Sequence, residues 1–374
     1  MTQAISKIVD GRLRSAATAI DQQGEYPRSI LQGLGEAGAF ASLADGDEGL
    51  VKTIDLHSAI TASRKVAAAC VSTAFCCWCQ GALVWYLRNS TNPALRQRLL
   101  ARAASGQVLG GTALSNPMKY VTGLENLRLS ATGQNDGASL ISGTIPWVSN
   151  VEENSPFGMI FSQPDKPPAM ALADSSMPGL SIKPNDNFET MAGTATVMAR
   201  FENVPITERN LLADNAVEFI GTIKAGFILL QAGIGLGIIE EAAAIIEQSR
   251  RTQPSGSEHG LLATSAQLQE QLGDLDNQVA QQAARASSGK PIADRELFGL
   301  RRELVLKAIR AATAAQLVCG AGGLGRGRRS ARLIREAAFY GVLTPSVQHL
   351  DHILQNSACA NESAASEALV AAAA

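Results

Sequence analysis

The chain has almost no net charge: 32 Lys and Arg against 34 Asp and Glu leave −2. A nucleic-acid binder needs a basic field, and none runs through this sequence. Long apolar runs are also scarce. The longest, residues 226–239, is interrupted only by Gln231 and is too short to span a bilayer. It is expected to be a buried helix, and no membrane partner is expected. The first residues, MTQAISKIVDGRLRS, hold no apolar core of the kind a secretory signal needs. Three of the six cysteines, Cys76, Cys77 and Cys79, crowd one apolar helical segment, where no His or second cysteine pair converges on them. That arrangement excludes the common metal sites and leaves small buried thiols in a reducing cytoplasm. Repeats at solenoid periods are absent as well.

What is present is a globular chain. Its 374 residues are 46% hydrophobic and 18% charged, enough for two or three domains with large cores. Residues 1–110 carry helical periodicity, with Pro93 opening one helix and Gly106 closing it. Residues 111–212 turn rich in Thr, Ser, Gly and Pro and alternate in short runs: LRLSATG, SLISGTI, GMIFSQ and TATVMARFENVPI. That pattern predicts an antiparallel β domain. Helical pattern returns over 213–355, as a bundle, and 356–374 is a low-complexity tail. The expected fold class is α+β in the order helical, sheet, helical.

The β region holds the most telling stretch. Residues 112–117 read TALSNP, expected as a short strand ending in a polar turn, and residues 143–150 read GTIPWVSN. Positions two apart on a strand share a face. Trp147 and Ser149 therefore put a flat aromatic surface beside a small hydroxyl, which suits a planar heterocycle with a hydrogen-bonding edge.

These two segments resemble the TEP and W-(I/V)-(T/S)-N motifs of the acyl-CoA dehydrogenase family. FENVPITERNLL resembles that family's exit from the β domain, and EYPRSILQGLGEAGAFASL its N-terminal helix. The resemblance covers nearly the whole chain. It implies an N-terminal helical domain, a central antiparallel β domain, a C-terminal four-helix bundle, bound FAD and a homo-oligomer. By resemblance, Leu114, Ser115, Trp147 and Ser149 seat the flavin ring, with Ser149 reaching N5. Arg250, favoured over Arg251 by spacing, would meet the pyrophosphate, where a guanidinium fork suits paired oxygens. AQLVCGAGG resembles QxxGGxG, which places Gln316 and Gly320 against the FAD of an adjacent subunit.

Residues 320–325 also fit GxGxxG, but a helical segment precedes them where a dinucleotide fold needs a strand. Arg326, Arg328, Arg329, Arg332 and Arg335 are expected as a solvated helix face with ion pairs between subunits.

One departure from the family stands out. Residues 335–348 align without a gap to the first fourteen positions of RDxxxxxIYEGTxxIQ, and the resemblance puts Ser346 and Gln348 against FAD. The catalytic Glu position is Thr344, whose hydroxyl has no basic form at neutral pH. Lys224, Ala225 and Gly226 stand at the alternative base site of the family, again without a carboxylate. Glu218 and Glu336 are the candidates for a relocated base. His349 and His352 follow the site; the plain reading puts them on the surface of a terminal helix. In flavin monooxygenases on this fold a C-terminal His lies near the flavin.

Three functions follow. The first is FAD-dependent α,β-dehydrogenation of an acyl thioester, carried by CoA or a carrier protein, with an electron-transfer partner. The second is a monooxygenase on the same fold, supplied by a flavin reductase. The third is a non-catalytic flavin-binding homologue.

Overall fold

The computed structural model describes residues 2–44, 54–135, 137–185, 188–252 and 262–356. Most of the 356–374 tail thus lies outside the described residues. Six helices come first: α1 (Thr2–Ile8), α2 (Arg14–Gln22), α3 (Arg28–Glu36), α4 (Leu56–Ala67), α5 (Val71–Asn89) and α6 (Pro93–Ala104). Local chemistry starts α4 and α6. The Asp55 carboxylate accepts from Ser58 N at 3.0 Å, and the Asn92 side chain accepts from Leu95 N just ahead of Pro93.

Every residue of α5 from Val71 to Leu87 is buried. A helix apolar all round belongs in the centre of a fold, and neighbours cover it on every side. The Trp78 and Trp85 ring nitrogens donate to Phe227 O and Ile223 O, at 3.1 and 3.0 Å. Phe75 stacks with Trp78 and meets Phe339 edge-on at 4.9 Å.

The middle of the chain holds β1 (Gly111–Thr112), α7 (Ser115–Tyr120), β2 (Leu129–Asn135), β3 (Ala138–Val148), β4 (Phe157–Gln163), β5 (Lys166–Ala173), β6 (Leu180–Pro184), β7 (Val197–Ile206) and β8 (Leu211–Ala213). They form one sheet in the order β6-β7-β3-β2-β4-β5-β8, with β1 beside β4. Most pairs are antiparallel, as the alternation predicts. The sheet is nonetheless mixed, because β4 pairs in parallel with both β1 and β2. A second apolar cluster fills the sheet interior, with Ile141, Phe157, Phe161 and Phe201 among its members.

The closing helices are α8 (Ala216–Leu229), α9 (Ala232–Thr252), α10 (Ser265–Ser287), α11 (Asp294–Cys319), α12 (Arg329–Val342) and a last helix over 347–356. The apolar run 226–239 is buried, as expected, but it is not one helix. It breaks at 230–231, between α8 and α9. Ala216–Thr252 as a whole is long and apolar enough to cross a bilayer by length and composition, yet 83% of its apolar window is buried inside the fold. The second such stretch, Asp294–Leu324, is 44% buried over its window.

The glycines of α9 answer to neighbours in the same chain. A Cβ on Gly237 would sit 2.4 Å from Ala67 Cβ, one on Gly233 2.6 Å from Ile60 O, and one on Gly235 2.8 Å from the Tyr340 ring. Close backbone approach of α4 and of Tyr340 requires them.

Candidate functional site

Two glycines draw the sheet segments together. A Cβ on Gly111 would lie 1.9 Å from Ser149 O, and one on Gly110 2.2 Å from Pro156 O. Their absence lets Thr112 bridge to Ser149 across the sheet. Asn150 then locks the corner: its Nδ2 donates to Gly110 O at 2.6 Å and its Oδ1 accepts from Tyr26 OH at 2.8 Å. At the end of β3 Trp147 stands 50% exposed, its ring 5.6 Å from that of Phe188. Ser149 is buried beside it and accepts from Thr196 Oγ1 at 2.9 Å.

The TALSNP segment differs from the expected strand. Only Gly111–Thr112 is extended, and Ser115 opens α7. Pro117 falls in the first helical turn, where its missing N–H is no loss. Asn116 ties the helix back by donating to Asn126 O and accepting from Arg128 N.

Ser115 faces the turn that follows α12. Its Oγ lies 2.9 Å from Thr344 Oγ1, so two hydroxyls pair at the position where the motif alignment expects a carboxylate. Buried polar groups hold that turn. Gln231 Nε2 donates to Thr344 O at 2.9 Å, and Arg301 Nε donates to Gln231 Oε1 at 2.7 Å. Arg301, 1% exposed, also donates to Tyr340 O and lies 4.0 Å over the Tyr340 ring. The break between α8 and α9 is thus where Gln231 reaches across to the turn.

His349 is buried, not on the surface as expected. Its Nε2 lies 2.7 Å from Thr122 Oγ1, and its backbone N donates to Ser346 Oγ at 3.3 Å. Burial first, then the nearby Lys119 charge, pushes the ring down to about 4. It is therefore neutral at neutral pH. His352 lies 3.0 Å from the Asn356 side chain, and Gln348 is exposed.

Residues 1–107 match the family model described as the acyl-CoA dehydrogenase N-terminal domain. Solved structures extend the likeness over the rest. Butyryl-CoA dehydrogenase from Megasphaera elsdenii aligns at 18% identity over 96% of each chain, with a TM-score of 0.82. The chain has the acyl-CoA dehydrogenase fold. A glutaryl-coenzyme A dehydrogenase in complex with glutaryl-CoA aligns at 15% identity over 94% of this chain and 92% of its own, TM-score 0.81. KijD3, in complex with FMN and a dTDP-linked amino keto sugar, aligns at 18% identity over 96% of this chain and 94% of its own, TM-score 0.78. Comparison with curated protein sequences gives no match.

Within this fold the remaining sequence candidates fall elsewhere. Gln316 donates to Gly320 O at 3.3 Å, and its own buried Oε1 has no partner among the described residues. Gly320, at φ +57°, ends α11. Ser330 at the start of α12 donates to Gly323 O. Thr344 follows the other end of that 14-residue helix, so the two groups lie about 20 Å apart. Arg250 is exposed near the end of α9. One chain thus gathers Leu114, Ser115, Ser149, Trp147, Thr344 and Ser346 around one region and leaves Arg250, Gln316 and Gly320 away from it.

Neither candidate base joins the hydroxyl pair. Glu218 is exposed in the first turn of α8, held by Asn215 at 2.8 Å. Glu336 is buried and accepts from Val71 N at 3.0 Å. In the arginine cluster Arg326 and Arg328 are exposed, as expected, and the other three differ. Arg329 pairs with buried Glu241, Arg332 with Glu336, and Arg335 with buried Asp21, all within the chain.

Gln231, Arg301, Thr122, Thr194 and Thr196 are site neighbours that the motifs do not mark. Gln231 alone carried a signal, as the one polar residue in the apolar run 226–239.

Proposed function

We propose that this protein is a flavin-dependent oxidoreductase that binds FAD between copies of itself and acts on an acyl thioester. The half-exposed Trp147 beside the Ser149 hydroxyl carries the proposal. An aromatic face left open at the end of an inner strand, next to a hydroxyl that can donate, fits a flavin ring. Bound flavin would supply a hydride acceptor. Leu114 and Ser115 would line its other edge, and Arg250, Gln316 and Gly320 would serve the cofactor of a neighbouring copy. Leu317 and Leu324 stay exposed near that end. Such apolar exposure supports a face shared with a second copy.

The Ser115–Thr344 pair would bind the thioester and orient it, but neither hydroxyl removes an α-proton at neutral pH. Slow dehydrogenation is therefore expected, with electrons passed to a separate acceptor protein. A second reading is a monooxygenase fed by a flavin reductase: FMN-bound KijD3 shares this fold, and the buried His349, neutral at neutral pH, would serve there as a hydrogen-bonding group.

The test is anaerobic mixing of the yellow protein with short, medium and long acyl-CoAs. The proposal predicts a shifted flavin spectrum on binding and bleaching over minutes or longer. No spectral response to any acyl-CoA, with reductase-dependent oxygenation of an aromatic or an amine, overturns it in favour of the second reading.

A further inference from the structure

Three hydroxyls stand in a row beside Trp147. Thr194 Oγ1 lies within reach of two acceptors, Met191 O at 2.7 Å and Thr196 Oγ1 at 2.8 Å. Thr196 Oγ1 donates to Ser149 Oγ at 2.9 Å. A hydroxyl has one proton. Thr196 commits its proton to Ser149, so the Ser149 oxygen is already an acceptor. Among the described residues, the Ser149 proton has no acceptor.

The backbone around the row is built to hold it. Met191 and Ala195 both sit at positive φ, 64° and 43°, a conformation that non-glycine residues rarely adopt. Surrounding bonds fix them there. Asn150 N donates to Thr194 O at 3.0 Å and Val151 N to Ala195 O at 3.1 Å. The loop over 191–196 is thus stitched to the strand just past Ser149.

We propose that Thr196 is a positioning residue that fixes Ser149 as a hydrogen-bond donor toward a ring nitrogen of the ligand on Trp147. The inference rests on the flavin reading and names its polarity. Oxidised flavin presents an acceptor at N5, and reduced flavin presents an N–H. A serine held as donor favours the oxidised form. Hydrogen bonds in a chain also polarise one another, which strengthens the last donor.

The experiment compares wild type with Thr196→Val, which keeps the shape and loses the donor, and with Thr196→Ser, which restores it. Affinity for oxidised FAD and the flavin potential against a reference dye are the readouts. Thr196→Val is expected to bind oxidised FAD about three- to tenfold more weakly, the size of one net hydrogen bond. Its potential should move upward, and Thr196→Ser should return both toward wild type. In a Ser149→Ala background Thr196→Val should change neither; that background also separates the relay from any general loosening of the loop. Wild-type affinity and potential in Thr196→Val would overturn the relay alone. A wild type that takes up no flavin would overturn the relay and the flavin reading together.

Discussion

At the scale of single residues, the proposed chemistry turns on Thr344. Its hydroxyl pairs with Ser115 at 2.9 Å and its carbonyl is held by Gln231. The position is therefore rigid, and a carboxylate placed there would be aimed. General-base catalysis contributes on the order of 10²–10⁴-fold. Thr344→Glu should speed anaerobic flavin reduction by acyl-CoA toward that range, and an unchanged rate would remove Thr344 from the base position. Glu336 behaves differently. Burial, opposed by Arg332, pushes its carboxyl up from 4.5 to about 7. A carboxyl raised in the folded state adds stability that is complete below pH 4.5 and is lost as pH rises through 7. Glu336→Gln stays neutral throughout. It should gain about 1–3 kcal/mol relative to wild type between pH 5 and pH 8 in urea unfolding; a pH-independent difference would contradict this. The sequence spells Trp147, Ser149 and Thr344 because their motifs are contiguous. It does not spell Arg301–Gln231 or Thr196–Ser149, whose partners are 70 and 47 positions apart.

Element types followed from periodicity where the pattern was long and failed where proline or brevity broke it. β5 begins KPPAMALA and β6 ends in Pro184, and prolines of this kind mark strand starts and edges without disqualifying them. β1 and β8 have two and three residues, too few to alternate. The parallel pairing of β4 is a matter of topology that no local pattern carries. In α9 the glycines are a packing device between helices. Three glycines in one helix cost roughly 1 kcal/mol each against Ala in isolation, yet here Ala has no room. Gly237→Ala would press a methyl to 2.4 Å from Ala67 Cβ and 2.6 Å from Arg64 O. A loss of about 1–3 kcal/mol is expected, read as a lower thermal midpoint. An equal or higher midpoint would show that α4 can move aside. These glycines pack within one chain, so they give no reason for oligomerisation.

For the whole molecule, the helical–sheet–helical order was legible from composition alone, and the structure has it. The division of the site was not. Thr344 and the Gln316–Gly320 group stand at opposite ends of α12, about 20 Å apart, and a single FAD in the proposed mode needs residues of both kinds. Two copies would bring them together, with the exposed Leu317 and Leu324 beside the Gln316–Gly320 end. Light scattering on the purified protein, with absorbance followed at flavin wavelengths during size exclusion, tests this most directly. The account predicts an assembly with a mass that is a multiple of 39.1 kDa, carrying one flavin per chain. A colourless protein that takes up no added FAD, or a monomer that holds FAD tightly, would contradict it.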